Sequence, residues 1–135
     1  MTRPPPRTEQ VASRESTNYL SKAREFEGMA RWALEDLRYS GAGLAAIHAV
    51  ISACDAFTVR KLGLRNKGED HRDVVRLMKD APTEGLEVVT RRVLSVLDLK
   101  NRVEYGGDGL SADEAERALA QAERVLRWVE QHVGR

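Results

Sequence analysis

One stretch constrains the fold of this chain more than any other. From about Leu44 to Leu62, apolar side chains occupy most of the circumference of a helical wheel: Leu44, Ala45, Ala46, Ile47, Val50, Ile51, Ala53, Cys54, Phe57 and Val59. A helix that is apolar nearly all round is buried centrally or sits in an interface. Its alanines permit close approach of a neighbouring helix or of a second subunit. The rest of the chain must therefore supply amphipathic elements to wrap it.

Those elements are visible on both sides. A first helix is predicted over Thr17–Tyr39, where Leu20, Ala23, Phe26, Ala30, Ala33, Leu34 and Leu37 recur at three-and-four spacing. Ser40 to Gly43 reads as a flexible turn. Beyond a charged loop, Gly63 to Asp70, a short helix runs from about His71 to Lys79 with Val74, Leu77 and Met78 facing inward. Pro82 and Thr83 open a fourth helix whose stripe is Leu86, Val89, Val93, Val96 and Leu97 and whose end reaches Tyr105. Gly106 and Gly107 read as left-handed stops. Ser111 with Glu114 forms a capping box for a last helix that buries Ala115, Leu119, Ala122, Leu126 and Val129. No strand-like alternation is seen. The expected fold is all-α, an antiparallel bundle of four main helices plus one short helix.

At 135 residues the chain makes one domain, residues 17–135. Residues 1–16 hold Pro4, Pro5 and Pro6 followed by polar side chains, the composition of an extended, mobile tail. Its deletion is expected to leave the thermal midpoint nearly unchanged. The 22 basic and 21 acidic residues leave a net charge of +1, so no global basic excess argues for nucleic acid, and only a local patch could. The single cysteine, Cys54, reads as a buried inert thiol in a reducing, cytoplasmic setting. No secretory leader and no membrane-length apolar segment are expected. One cysteine and three scattered histidines offer no metal-ligand spacing, and no cofactor is expected.

The feature that points toward function is Leu99-Lys100-Asn101-Arg102-Val103-Glu104-Tyr105-Gly106-Gly107, a polar string ending the fourth helix. If that helix continues unbroken, Lys100 and Glu104 form an i,i+4 pair on its inward face, Asn101 flanks them and Arg102 points to solvent. Two accounts of the string stand side by side. The helix end emerges into water, or it forms a partly buried polar site with another helix or subunit.

In order and spacing, the chain after the tail resembles the HEPN family of small helical proteins. The segments that carry the likeness are Ala45 to Val50 in the second helix, Asp70 to Val75 at the short helix, Leu99 to Gly106, and the Ser-Ala-Asp-Glu opening of the last helix. The resemblance implies an association with RNA cleavage, nucleotide binding, and toxin–antitoxin or defence pairs. It also implies a homodimer built through the second and fourth helices, and a nucleotidyltransferase-type antitoxin as one kind of protein partner. Nuclease members carry an arginine, a polar residue and, four to six positions after the arginine, a histidine. Their chemistry is metal-independent attack by a 2′-hydroxyl. Here those positions read Lys100, Asn101 and Tyr105.

Lysine keeps the charge without arginine's bidentate fork. Tyrosine, with an unperturbed pKa near ~10, is a poor proton acceptor at neutral pH. The expected function is a non-catalytic or weakly active module that binds a nucleotide, RNA or a protein partner, with Lys100, Asn101, Glu104 and Tyr105 as the binding residues. The alternative is a ribonuclease toxin using Lys100, Asn101 and Tyr105. Two other arginine-to-histidine spacings, Arg65-Asn66 to His71 and Arg127 to His132, lie outside the family's signature position. His71 is expected to pack at a helix start, and His48 to be a satisfied core histidine.

Overall fold

The computed structural model describes residues 3–134. The apolar run becomes α2, Tyr39–Leu62, the axis of the bundle. α1 (Ser16–Glu35) and α6 (Ala112–Val133) cover most of it. α3 (Asp73–Met78), α4 (Leu86–Leu97) and α5 (Lys100–Tyr105) close the remainder. The all-α bundle expected from the sequence is the observed architecture. It has two short helices, because the predicted fourth helix is divided into α4 and α5.

Packing follows from side-chain size. Ala23 and Ala30 of α1, Ala118 and Ala122 of α6, and Ala46, Ala49, Ala53 and Ala56 of α2 all belong to one buried cluster. Small side chains at these positions let helix backbones approach closely. Phe57, fully buried, is the largest side chain of that core. At its edge the Phe57 ring lies 4.9 Å from the Trp128 ring of α6. Burial pushes the Cys54 thiol up in pKa, so it stays protonated and inert. α2 is also long and apolar enough to cross a membrane by length and composition, contrary to the sequence reading. Of that apolar window 83% is buried inside the bundle, as in the core helix of a helical domain.

Several boundaries differ from the sequence reading. Tyr39 to Gly43 is the first turn of α2, and the chain reverses at Asp36 to Arg38 instead. Leu37 takes the reversal with φ +63°, a conformation that glycine usually supplies. Gly106 does not take a left-handed conformation: it leaves α5 extended, at φ −79° and ψ 143°. A side chain there would bring its Cβ within 2.7 Å of the Arg102 carbonyl oxygen, which is why glycine suits the site.

The expectation of a mobile tail through residue 16 is corrected. Thr8–Gln10 is a strand, β1, paired antiparallel with β2, Leu64–Asn66, and Glu9 lies opposite Arg65. The Glu9 carboxylate accepts from Arg65 Nε at 2.8 Å. Arg7 C=O accepts from Lys67 N–H at 2.8 Å, and Arg76 reaches the Pro4 carbonyl at 2.7 Å. Backbone pairing and charge, rather than apolar burial, hold this segment, so hydrophobic periodicity could not reveal it. Ser16 then fixes the start of α1 by donating to the Ala56 carbonyl at 2.9 Å.

Candidate functional site

The polar string does not continue the geometry of α4. Asp98 and Leu99 hold ψ angles of −17° and −12°, and Leu99 N–H bonds to Val96 C=O in a tightened turn. Aspartate favours such a departure from helix, and Arg72, before α3, holds Asp98 at 2.8 Å. α5 therefore starts afresh. None of its residues is fully buried, although Val103 packs against the core.

The Lys100–Glu104 pair forms as expected, Nζ to Oε2 at 2.9 Å, but on a half-exposed face. Arg102 is not free in solvent. It donates to the Gly109 carbonyl at 2.8 Å and pairs with Glu114, whose other oxygen accepts from the Ser111 N–H in the capping box. The Ser111 backbone and Arg102 together hold the Glu114 carboxyl below its ordinary pKa. Arg102 thus clamps α5 to the start of α6.

Lys100 and Asn101 line one cleft with Glu69, Asp70, His71, Arg72, Leu97 and Asp98, enclosing about 410 Å³. Tyr105, the last residue of α5, is not part of it and is 79% exposed. Of the four residues singled out in the sequence, Lys100 and Asn101 therefore share a cleft, Glu104 steadies Lys100 from its edge, and Tyr105 stands apart. His71, Arg72 and Asp98 join the cleft without having been predicted. The loop carrying His71 is shaped by Asn66, which accepts from the Gly68 N–H at 3.3 Å and donates to the Asp70 carbonyl at 3.5 Å. Asp70 in turn accepts from the Arg72 N–H at 2.9 Å.

His71 also lines a second, smaller hollow of about 100 Å³ with Asp55, Arg65 and Asn66. The Arg65-Asn66 to His71 spacing seen in the sequence thus brings its members to one place, behind the larger cleft. Burial lowers the His71 pKa, and Lys100 and then His48 push it further down against Asp70 and Glu104. Its imidazole is consequently neutral at pH 7, able to accept a proton or a hydrogen bond. His48 itself is half-buried, with its ring 5.3 Å from that of Phe26. Among the described residues no cluster of histidine, cysteine, aspartate and glutamate could hold a metal ion.

The arrangement offers a lysine ammonium, an asparagine amide, an arginine and a neutral imidazole at the rim of one concavity, beside the carboxylates of Glu69, Asp70 and Asp98. The donors suit an oxyanion, and the carboxylates weaken its hold. It lacks the buried arginine fork that efficient phosphodiester cleavage would use.

Comparison with known proteins agrees with this architecture. TT1696 from Thermus thermophilus superposes with a TM-score of 0.70 at 20% identity, covering 87% of this chain and 97% of that one. ST0689, an archaeal HEPN homologue, gives a TM-score of 0.68 at 16% identity, covering 88% and 98%. Identities this low establish the shared fold alone. No curated protein sequence matches the chain. The HEPN domain family matches residues 16–132, from the first residue of α1 to the last turn of α6. This chain belongs to the HEPN domain family.

Proposed function

We propose that the protein is a non-catalytic HEPN module that holds a phosphate-bearing ligand, a nucleotide or a short stretch of RNA, in the cleft between α5 and the loop before α3. The observation that carries this reading is the convergence of Lys100, Asn101, His71 and Arg72 on one cleft of about 410 Å³. Lys100 and Arg72 are held by Glu104 and Asp98, so their donors are positioned before a ligand arrives. Those two carboxylates, with Glu69 and Asp70 in the lining, oppose an anion, which favours modest affinity. Tyr105, standing where a nuclease histidine would be, is outside the cleft and supplies no proton carrier to it.

The proposal includes a homodimer and a toxin–antitoxin or defence setting in the cytoplasm, with a nucleotidyltransferase-type antitoxin as the protein partner. α2 is covered by its own chain, so its apolar surface is no motive for a second subunit. The support for dimerisation is instead the family resemblance together with the unpartnered Tyr105 ring. Sedimentation equilibrium should give about twice the 15.1 kDa chain mass.

A second reading, a ribonuclease with a modified site, is favoured by one specific observation. His71, neutral at pH 7, faces the same cleft as Lys100. Titrating a fluorescent adenine nucleotide against the wild type, Lys100→Gln and Asn101→Ala tests the first reading. Each substitution should weaken binding about five- to tenfold, the loss expected for one charge-assisted hydrogen bond. Equal affinity in all three proteins contradicts the reading.

A further inference from the structure

α6 separates its charges. On the side toward α1, Glu123 and Glu130 are engaged by Arg31 at 3.2 Å and Arg24 at 3.1 Å. On the side toward α4 lies an open groove of about 300 Å³ bounded by Arg92, Arg124, Arg127 and Trp128. No acidic side chain lines it. Nine of the sixteen described arginines have a carboxylate within ion-pair distance; Arg92, Arg124 and Arg127 are among the seven that do not, and of these three Arg127 feels a carboxylate, Glu27, at longer range. Three guanidinium groups beside one hollow repel one another, and an anion between them would turn that repulsion into attraction.

The groove is also built rather than incidental. Arg92 is oriented by the Gln121 side-chain oxygen at 2.8 Å, which leaves its other N–H groups to point elsewhere. Trp128 forms a rigid wall: its indole N–H donates to the Glu84 carbonyl at 3.0 Å. Gly85, at φ +83°, admits that contact, since a Cβ there would lie 2.8 Å from the indole nitrogen. A fixed apolar wall lowers the local dielectric and strengthens the field of neighbouring cations. Beyond Arg92 the furrow continues between the same two helices past Ser95, Gln121 and Arg117, adding about 390 Å³. Its far end meets Glu114, which is taken up by Arg102, and Arg117 there is paired with Asp113, so the unpaired cations are those of the first stretch. From Trp128 to Arg117 it runs roughly 16 Å along α6, longer than a single phosphate requires.

We propose that this α4–α6 furrow is an anion-binding site taking successive phosphates of an extended chain, a polyphosphate or a nucleic-acid backbone, through Arg92, Arg124 and Arg127. The guanidinium fork matches phosphate oxygens bidentately, which is the reason for arginine rather than lysine at all three positions. The furrow and the Lys100 cleft have no lining residue in common, so this site stands whether or not that cleft binds a ligand.

The test is calorimetry with inorganic tripolyphosphate and anisotropy with a labelled single-stranded RNA oligonucleotide, at low and raised salt. The proteins are the wild type, Arg124→Gln/Arg127→Gln, and a charge-matched control, Arg14→Gln/Arg60→Gln, at exposed positions outside the furrow. The furrow variant should weaken binding at least about tenfold and flatten its salt dependence, with the control within about twofold of wild type. Loss of both probes together identifies polyphosphate chemistry in general, and loss of RNA with no tripolyphosphate binding at all identifies a strand backbone. Binding of neither probe by the wild type overturns the proposal. Equal losses in the two double variants also overturn it, since the attraction would then be generic.

Discussion

Asp55 offers a sharp test of the energetics behind the site. It sits on α2 at 6% exposure, and the Arg65 guanidinium approaches only to 3.9 Å, too far for a hydrogen bond. Arg65 is bonded to Glu9 instead. Burial pushes the Asp55 carboxyl from 3.8 up to about 7, against the opposing pull of Arg65 and Lys22. The folded protein therefore binds this proton more tightly than the unfolded chain does, by about 4 kcal/mol at 1.36 kcal/mol per pKa unit. This contribution is largest below about pH 4, declines as pH rises toward 7, and is gone above the folded-state value.

Asp55→Asn keeps the shape and removes the ionisation. At about pH 8 it should be more stable than wild type by up to about 4 kcal/mol, and the gap should close as pH falls toward 4. Urea denaturation followed by circular dichroism across that range measures it. His71 titrates in both proteins, and its depressed pKa affects both alike, so the difference isolates Asp55. A variant less stable than wild type at about pH 8, by an amount independent of pH, would refute the reasoning. Asp55 would then be ionised and satisfied by Arg65.

Two further outcomes follow from the packing. Deleting the first eleven residues removes β1, the Arg65–Glu9 pair and the Arg76 bond to Pro4, and should lower the thermal midpoint by about 3–4 °C, the equivalent of roughly 1 kcal/mol in a domain of this size. An unchanged midpoint in differential scanning calorimetry would restore the picture of an undocked tail. Arg102→Ala breaks the clamp between α5 and α6 and should cost about 1–2 kcal/mol in urea denaturation, with faster amide exchange confined to α5. Unaltered exchange in α5 would show that Arg102 does not hold that helix.

The helical frame was legible because apolar spacing reports it. The stripes of α1, α4 and α6 and the Ser111–Glu114 capping box are local features, and the structure has them where the sequence puts them, except for Leu37, which lies past the end of α1 and is exposed. Three features were hidden. β1 is held by backbone bonds to β2, which leave no pattern in side-chain hydropathy. The tightened turn at Asp98 and Leu99 leaves no mark in apolar spacing, so a wheel drawn through an unbroken helix turned Lys100 inward, whereas it is half-exposed at the cleft. Arg102 looked solvated because its partners, Glu114 and the Gly109 carbonyl, lie beyond the end of its helix.

The site itself was half legible. Lys100 and Asn101 could be found from the family-like string, whereas His71 and Arg72 enter the cleft through a loop shaped by Asn66. The Arg65-Asn66 to His71 spacing and the family-like Asp70 to Val75 segment were the signals in the sequence that pointed to that loop.

The claim that the cleft binds without cleaving is tested most directly by incubating purified wild type and His71→Ala with labelled single-stranded RNA in metal-free buffer near neutral pH. No cleavage above the protein-free blank by either protein is the result predicted, since Tyr105 lies outside the cleft and Lys100 lacks the arginine fork. Cleavage by the wild type that His71→Ala abolishes, while the variant keeps its circular dichroism spectrum, would contradict it and make His71 the proton carrier of a ribonuclease.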